Sequence, residues 1–239
     1  MRSELFAAEN LEKESAQPGL RLQNSKMLKI ELNGECMARA GSMVAYQGDV
    51  RFQALGAGGF GKFLKQKLTG EGVPLMKISG RGDVFLANFA ADVHLIDLEP
   101  GDALSINGSS VLAFDSTLQY DIKMVQGMGM ASSAGLFNCV FTGQGRIAIT
   151  TRGAPVVLTV DQPTYVDPQA AVCWSAGLQT GYHRAEQLGL GTLLGRSTGE
   201  AFTMSFAGQG FVVVQPSEEP PVAGAGQQQG GGVLGGLFD

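Results

Sequence analysis

Three copies of one short bend recur along this chain of 239 residues, and no other feature constrains its fold as much. Ile78-Ser-Gly-Arg-Gly-Asp-Val-Phe-Leu-Ala, Phe141-Thr-Gly-Gln-Gly-Arg-Ile-Ala-Ile-Thr and Phe206-Ala-Gly-Gln-Gly-Phe-Val-Val-Val-Gln each run a Gly-x-Gly into an apolar stretch. Their first glycines, Gly80, Gly143 and Gly208, lie 63 and 65 residues apart. A second landmark follows the same order: Ser42-Met-Val-Ala-Tyr46, Ser110-Val-Leu-Ala-Phe114 and Ala170-Ala-Val-Cys-Trp174 each read small, apolar, apolar, small, aromatic. Two landmarks sharing one mean period predict three pseudo-repeats of about 64 residues.

Within each unit the pattern is that of strands. Lys29-Ile-Glu-Leu, Val84-Phe-Leu-Ala, Val93-His-Leu-Ile, Ala103-Leu-Ser-Ile and Val156-Val-Leu-Thr-Val are short and rich in branched or aromatic residues. Asn33-Gly, Pro100-Gly-Asp, Asn107-Gly and Arg152-Gly punctuate them as turn signals. A unit of this size holds several antiparallel strands without burying its own face, whereas three units stacked together bury it. The 35 glycines, about twice the usual share, fit a chain full of turns and close backbone approaches. The expected fold is all-β, a triplicated β domain over residues 1–216 with one short helix. Residues 217–239, rich in Gly and Gln after a Pro-Ser-Glu-Glu-Pro-Pro stretch, read as a flexible tail.

Charge and cysteine usage narrow the classes of function. A net charge of −5 argues against a broad nucleic-acid surface. Cys36, Cys139 and Cys173 are odd in number and lack any Cys-x-x-Cys spacing, so they read as buried reduced thiols. The first residues carry no apolar signal-peptide core, and no window offers 18 consecutive apolar residues; a cytoplasmic chain is the expectation.

Several glycine motifs imitate chemistry. Gly56-Ala-Gly-Gly-Phe-Gly61 has the spacing of a dinucleotide-binding turn, and Asp83 stands downstream. The strand before it, Val50-Arg-Phe-Gln-Ala, alternates polar with apolar, where a parallel first strand is a buried apolar run. The helical stretch after it, Lys62 to Leu68, is too short for a crossover. Phe63 occupies the place where a phosphate loop needs a magnesium-binding hydroxyl. Gly195-Arg-Ser-Thr-Gly199 matches a nucleophile elbow, yet the strand pattern follows Ser197 instead of preceding it, and His94 and His183 both come before the serine. Asp115, Asp121, Asp161 and Asp167 lie beside turns, a placement that backbone hydrogen bonding explains. Arg81-Gly-Asp83 is one of the three bends. No catalytic, cofactor-binding or metal-ligating residue is expected.

One candidate interaction surface remains. Phe60, Phe63, Leu64 and Leu68 share one helical face, and Lys62, Lys65 and Lys67, three of the chain's eight lysines, occupy the rest. Such a basic amphipathic element suits an anionic membrane surface or an acidic protein partner.

Asn24-Ser-Lys-Met-Leu-Lys-Ile-Glu-Leu-Asn-Gly, Ala40-Gly-Ser-Met-Val-Ala-Tyr-Gln-Gly-Asp-Val, Thr69-Gly-Glu-Gly, Gly80-Arg-Gly-Asp-Val-Phe-Leu-Ala and Val111-Leu-Ala-Phe-Asp resemble one family. It is the bacterial branch of the family named for altered inheritance of mitochondria protein 24, and the likeness covers about residues 20–216. The resemblance implies an all-β, double-stranded β-helix-like body related in fold to the tryptophan RNA-binding attenuation protein. It carries no established catalytic or ligand residues to transfer. The functional expectation is a non-enzymatic scaffold or interaction protein, a homo-oligomer working at a membrane surface or on an acidic partner. The alternative is a small-ligand or RNA-binding module using a groove between repeats; the acidic balance weighs against nucleic acid.

Overall fold

The computed structural model describes residues 3–13, 17–55, 74–124, 137–183 and 203–217. Apart from short 3-10 turns at Glu4–Phe6, Ala8–Asn10 and Gly108–Ser110, the regular structure of these residues is entirely strand. The all-β class read from the sequence is therefore observed. The expected helix over Lys62 to Leu68 lies outside the described residues.

Sixteen strands are described. The first four are β1 (Gly19–Asn24), β2 (Met27–Arg39), β3 (Met43–Leu55) and β4 (Leu75–Leu86). Six follow in the middle of the chain: β5 (Asp92–Leu98), β6 (Ala103–Asn107), β7 (Val111–Asp115), β8 (Gln119–Met124), β9 (Phe137–Thr142) and β10 (Gly145–Thr151). The last six are β11 (Val156–Val160), β12 (Thr164–Val166), β13 (Ala171–Ser175), β14 (Gln179–His183), β15 (Thr203–Ala207) and β16 (Gly210–Val214).

All described pairings are antiparallel, and they follow one scheme along the chain. In the middle third β10 lies between β5 and β7, and β9 lies between β6 and β8. In the last third β16 lies between β11 and β13, and β15 between β12 and β14. In the first third β4 lies between β2 and β3, whose lengths of 13 residues carry each strand through both ladders without a break. One consequence corrects the sequence reading. Asn33-Gly34 is no turn, because β2 runs on through Gly34, which faces Gly80 of β4.

The Gly-x-Gly bend is where a strand passes from one ladder to the other. Gly80 and Gly82 have φ of 127° and 152°, backbone that side-chain-bearing residues avoid. A Cβ on Gly82 would stand 2.0 Å from the Gln47 carbonyl oxygen, and one on Gly80 2.1 Å from that of Asp49. The crossing of β3 over β4 thus leaves no room for a side chain. Arg81-Gly-Asp83 sits inside this crossing, paired on both sides.

Two junctions join the thirds. β2 pairs with β7 through Cys36↔Asp115, Met37↔Phe114 and Ala38↔Ala113. β6 pairs with β13 through Leu104↔Ser175, Ser105↔Trp174 and Ile106↔Cys173. Side chains reinforce both: Arg39 donates to the carbonyls of Gly108, Ser109 and Val111, and the Asn107 amide donates to those of Pro168 and Ala171. The apolar core forms three clusters in chain order. The first takes Leu112 and Ala113 from β7, and the second takes Val172 and Cys173 from β13, so each is completed by the unit that follows.

Candidate interaction surface

β3 shows what an incomplete junction looks like. Its landmark Met43-Val44-Ala45-Tyr46 has the same residue classes as those of β7 and β13, but its fate differs. β7 is flanked by β2 and β10, and β13 by β6 and β16. Phe114 is accordingly 0% exposed and Trp174 3%. Among the described residues β3 ends its sheet with β4 as its one neighbour, and Tyr46 is 49% exposed with Met43 and Val44 open beside it. Branched and aromatic residues along an open backbone edge make a surface that other strands join. At the far end of the chain β12 likewise closes its sheet, with β15 its one described neighbour, and Tyr165 is 59% exposed.

A second group, centred on Lys29, is the most concentrated set of ion pairs described. Leu28, Lys29 and Ile30 are all buried, so both faces of β2 are covered here. The Lys29 ammonium lies 2.6 Å from Glu12, 3.4 Å from Asp83 and 3.7 Å from Glu31, and it donates to the Lys13 carbonyl at 2.8 Å. It also stands 5.9 Å from the centre of the Phe85 ring. Burial presses the Lys29 ammonium toward deprotonation, but Glu12 and Asp83 outweigh it and hold its pKa above the ordinary lysine value. The hydrogen bond from Lys29 in turn holds the Glu12 carboxyl below the usual range. Gln23 completes the attachment, accepting from the Lys13 amide and donating to the Leu11 carbonyl. The arrangement fastens residues 11–13 across β2. Beside it lies an open groove of about 350 Å³ lined by Pro18, Lys29, Glu31, Leu32, Arg81, Gly82 and Asp83, whose charges balance.

Residues that looked reactive in sequence are occupied structurally. Cys36, Cys139 and Cys173 are free and buried as expected, and burial pushes each thiol up to about 12, far from the thiolate a nucleophile needs. His94 is half-buried on β5, its Nε2 2.8 Å from the Thr151 hydroxyl. Asp167 accepts from the Gln169 and Ala170 amides, the local turn role expected of it, whereas Asp115 accepts from the Arg146 amide of the neighbouring strand. Phe60, Lys62, Phe63, Leu64, Lys65, Lys67 and Leu68 lie outside the described residues, as do Ser197 and the glycines from Gly56 to Gly61.

Two features escaped the sequence reading. The β3 landmark was visible as a repeat marker, but nothing local distinguishes an edge copy from a central one. Lys29, standing between Leu28 and Ile30 in an apolar run, was the available signal for a buried cation. Among the described residues no helix is long and apolar enough to cross a membrane, and no group of three His, Cys, Asp or Glu is placed to hold a metal.

The comparisons with known proteins agree with this architecture. A family model described as "Mitochondrial biogenesis AIM24" matches residues 20–217. The crystal structure of a Streptococcus pyogenes protein superposes with a TM-score of 0.65 at 22% identity, covering 84% of this chain and 94% of that one, a likeness of fold. Among curated proteins, none matches.

Proposed function

The chain belongs to the mitochondrial biogenesis AIM24 family over residues 20–217, and from that premise we propose a non-enzymatic scaffold or interaction protein that self-associates. Its body is three equivalent β units, and its further partner is an anionic membrane surface or an acidic protein met through Phe60, Lys62, Phe63, Leu64, Lys65, Lys67 and Leu68. One observation carries the reading: the landmark that is buried in β7 and β13 is exposed in β3, which ends its sheet among the described residues. The inert cysteines and the pairing of the Lys29 ammonium with Glu12 and Asp83 support a surface role over a chemical one.

The rival reading, a small-ligand or RNA-binding module, draws on the groove beside Lys29. There Glu31 and Asp83 offset Lys29 and Arg81, and a phosphate entering it meets carboxylates already holding the lysine. A thermal-shift panel of nucleotides, amino acids and short RNAs separates the two. A ligand at 100 times its Kd stabilises by about 2.7 kcal/mol, whereas an interaction scaffold melts unchanged across the panel.

Two measurements test the proposal itself. Light scattering over a concentration series is expected to give a mass above that of one chain. Sedimentation with vesicles containing phosphatidylserine is expected to retain the protein, and changing Lys62, Lys65 and Lys67 together to Glu abolishes retention. No retention of the unchanged protein removes the membrane partner.

A further inference from the structure

The seat of residues 11–13 is built like a receptor for a short stretch of extended chain. Gln23 of β1 reads main chain alone: its Oε1 accepts from the Lys13 amide at 3.0 Å, and its Nε2 donates to the Leu11 carbonyl at 2.8 Å. Lys29 of β2 reads one main-chain group and one side chain, the Lys13 carbonyl at 2.8 Å and the Glu12 carboxylate at 2.6 Å. Both readers are buried. Main-chain contacts accept any sequence, whereas a buried ammonium selects a carboxylate. The third position adds a weaker preference, since the Lys13 ammonium donates to the Leu22 carbonyl at 3.3 Å. Leu11 is 52% exposed, so the first position takes any side chain. The segment in this seat contributes nothing to the core: no residue from Ser3 to Lys13 is buried. Polar contacts to Gln23, Lys29 and the Leu22 carbonyl fasten it, and another segment offering the same groups can replace it. The groove of about 350 Å³ beside Lys29 lies open, and Pro18, Leu32, Arg81 and Gly82 line room for flanking residues.

We propose that Gln23 and Lys29 form a binding site for an extended acidic segment of a partner protein, which presents a Glu between two residues read through their main chain. Residues 11–13 are the tethered occupant that such a partner displaces. This surface is separate from β3 and independent of self-association. Cleared of residues 11–13, Lys29 keeps Asp83 at 3.4 Å and Glu31 at 3.7 Å. It loses its two shortest contacts, to Glu12 and to the Lys13 carbonyl. Glu31 does not make up the loss, because it is already paired with Arg21 at 3.3 Å. A buried cation with fewer partners is destabilising until they are replaced. The seat is therefore vacated in exchange for an equivalent carboxylate, and that makes the partner's Glu the selected residue. The tethered occupant also sets a threshold. It stands at high effective concentration, so a free segment competes poorly unless flanking contacts along the groove add to its hold.

Fluorescence anisotropy on full-length chains, with a labelled peptide of residues 8–13 (Ala-Glu-Asn-Leu-Glu-Lys), is the test. In Glu12→Lys the chain's own segment meets Lys29 with like charge and leaves the seat. The peptide is expected to bind that chain at least about tenfold more tightly than it binds the unchanged protein, where it must compete. A peptide carrying Glu12→Gln is expected to bind at least about tenfold more weakly, because a charge-assisted contact is lost. Gln23→Ala added to Glu12→Lys is expected to weaken binding by about as much, with the buried lysine left in place. Circular dichroism and melting check the fold of each chain. Hydrogen exchange on the unchanged protein gives a second readout: at saturating peptide the Lys13 amide, bonded to Gln23, is expected to exchange several-fold faster. Three results overturn the proposal. No binding to a folded Glu12→Lys chain means that residues 11–13 are a fixed part of the body. Equal binding of the Glu and Gln peptides means that Lys29 selects nothing. A fall in mass by light scattering from the unchanged protein to Glu12→Lys means that the segment is exchanged between copies and meets no other partner. Self-association is decided by the mass of the unchanged protein alone, so the first two results leave that reading intact.

Discussion

At Gly82 the backbone takes a conformation closed to side chains, and the space beside it is closed as well. Gly82→Ala is expected to cost about 3 kcal/mol, combining the left-handed penalty with a 2.0 Å overlap on the Gln47 carbonyl. Gly34 has φ of 127° but open space around it, so Gly34→Ala is expected to cost only about 1–2 kcal/mol. Urea midpoints at unchanged slope measure the difference, and equal costs would mean that the close approach at Gly82 relaxes freely. Lys29 is the other residue whose effect has a definite sign. Glu12 has its pKa lowered by Lys29, so its stabilisation is present above the ordinary glutamate value near 4.3 and fades as pH falls through the lower folded value. Lys29 has its pKa raised, so its share persists up to about pH 10 and fades as pH rises through the higher folded value. Stability attached to this cluster is therefore expected to be flat between about pH 5 and 10. In Lys29→Met both flanks of the profile should shrink, and a profile identical to the unchanged protein would exclude the cluster as their source.

At the level of elements, three strands with one sequence pattern occupy two environments. β7 and β13 are central and β3 is an edge. Phe114→Ala removes a fully buried ring packed edge-on against Phe141 at 4.8 Å and is expected to cost about 3–5 kcal/mol. Tyr46→Ala at the same place in the pattern is expected to cost under about 1 kcal/mol in the dissociated chain, because the ring is half exposed and its aromatic neighbour is Phe52, at 5.3 Å. Thermal melts of both variants in dilute solution test this contrast. Arg146 shows how neighbouring elements are tied. It forms a bidentate pair with Asp97 at 2.6 and 2.9 Å and donates to the Leu20 carbonyl, joining β10 to β5 and β1. Its guanidinium holds the Asp97 carboxyl below the usual range. Lysine lacks the planar fork, so Arg146→Lys is expected to cost up to about 1 kcal/mol at this exposed site, measured by melting at pH 7.

For the whole molecule, the landmark of the first unit lies on β3, which ends its sheet among the described residues. Association that buries Val44 and Tyr46 makes stability depend on protein concentration. The melting temperature is expected to rise with concentration in the unchanged protein and to stay constant in Val44→Glu with Tyr46→Lys. A concentration-independent melt of the unchanged chain would show that β3 does not carry self-association.

The sequence by itself determined the all-β class, the positions of the Gly-x-Gly bends and the buried state of the cysteines. These rest on short-range causes: alternation of apolar and polar residues, glycine where the backbone needs it, and small apolar side chains in core strands. It misread Asn33-Gly34, because a turn dipeptide and a paired glycine within a long strand look alike until Gly80 is found opposite. Only the tertiary structure decided that Lys29 is enclosed by Glu12, Glu31 and Asp83, and that Tyr46 stands on an edge while Phe114 and Trp174 lie inside. The reason is physical. A strand's burial depends on what lies across its hydrogen-bonding edge, and that neighbour is set by pairing across tens of residues, which no local pattern encodes.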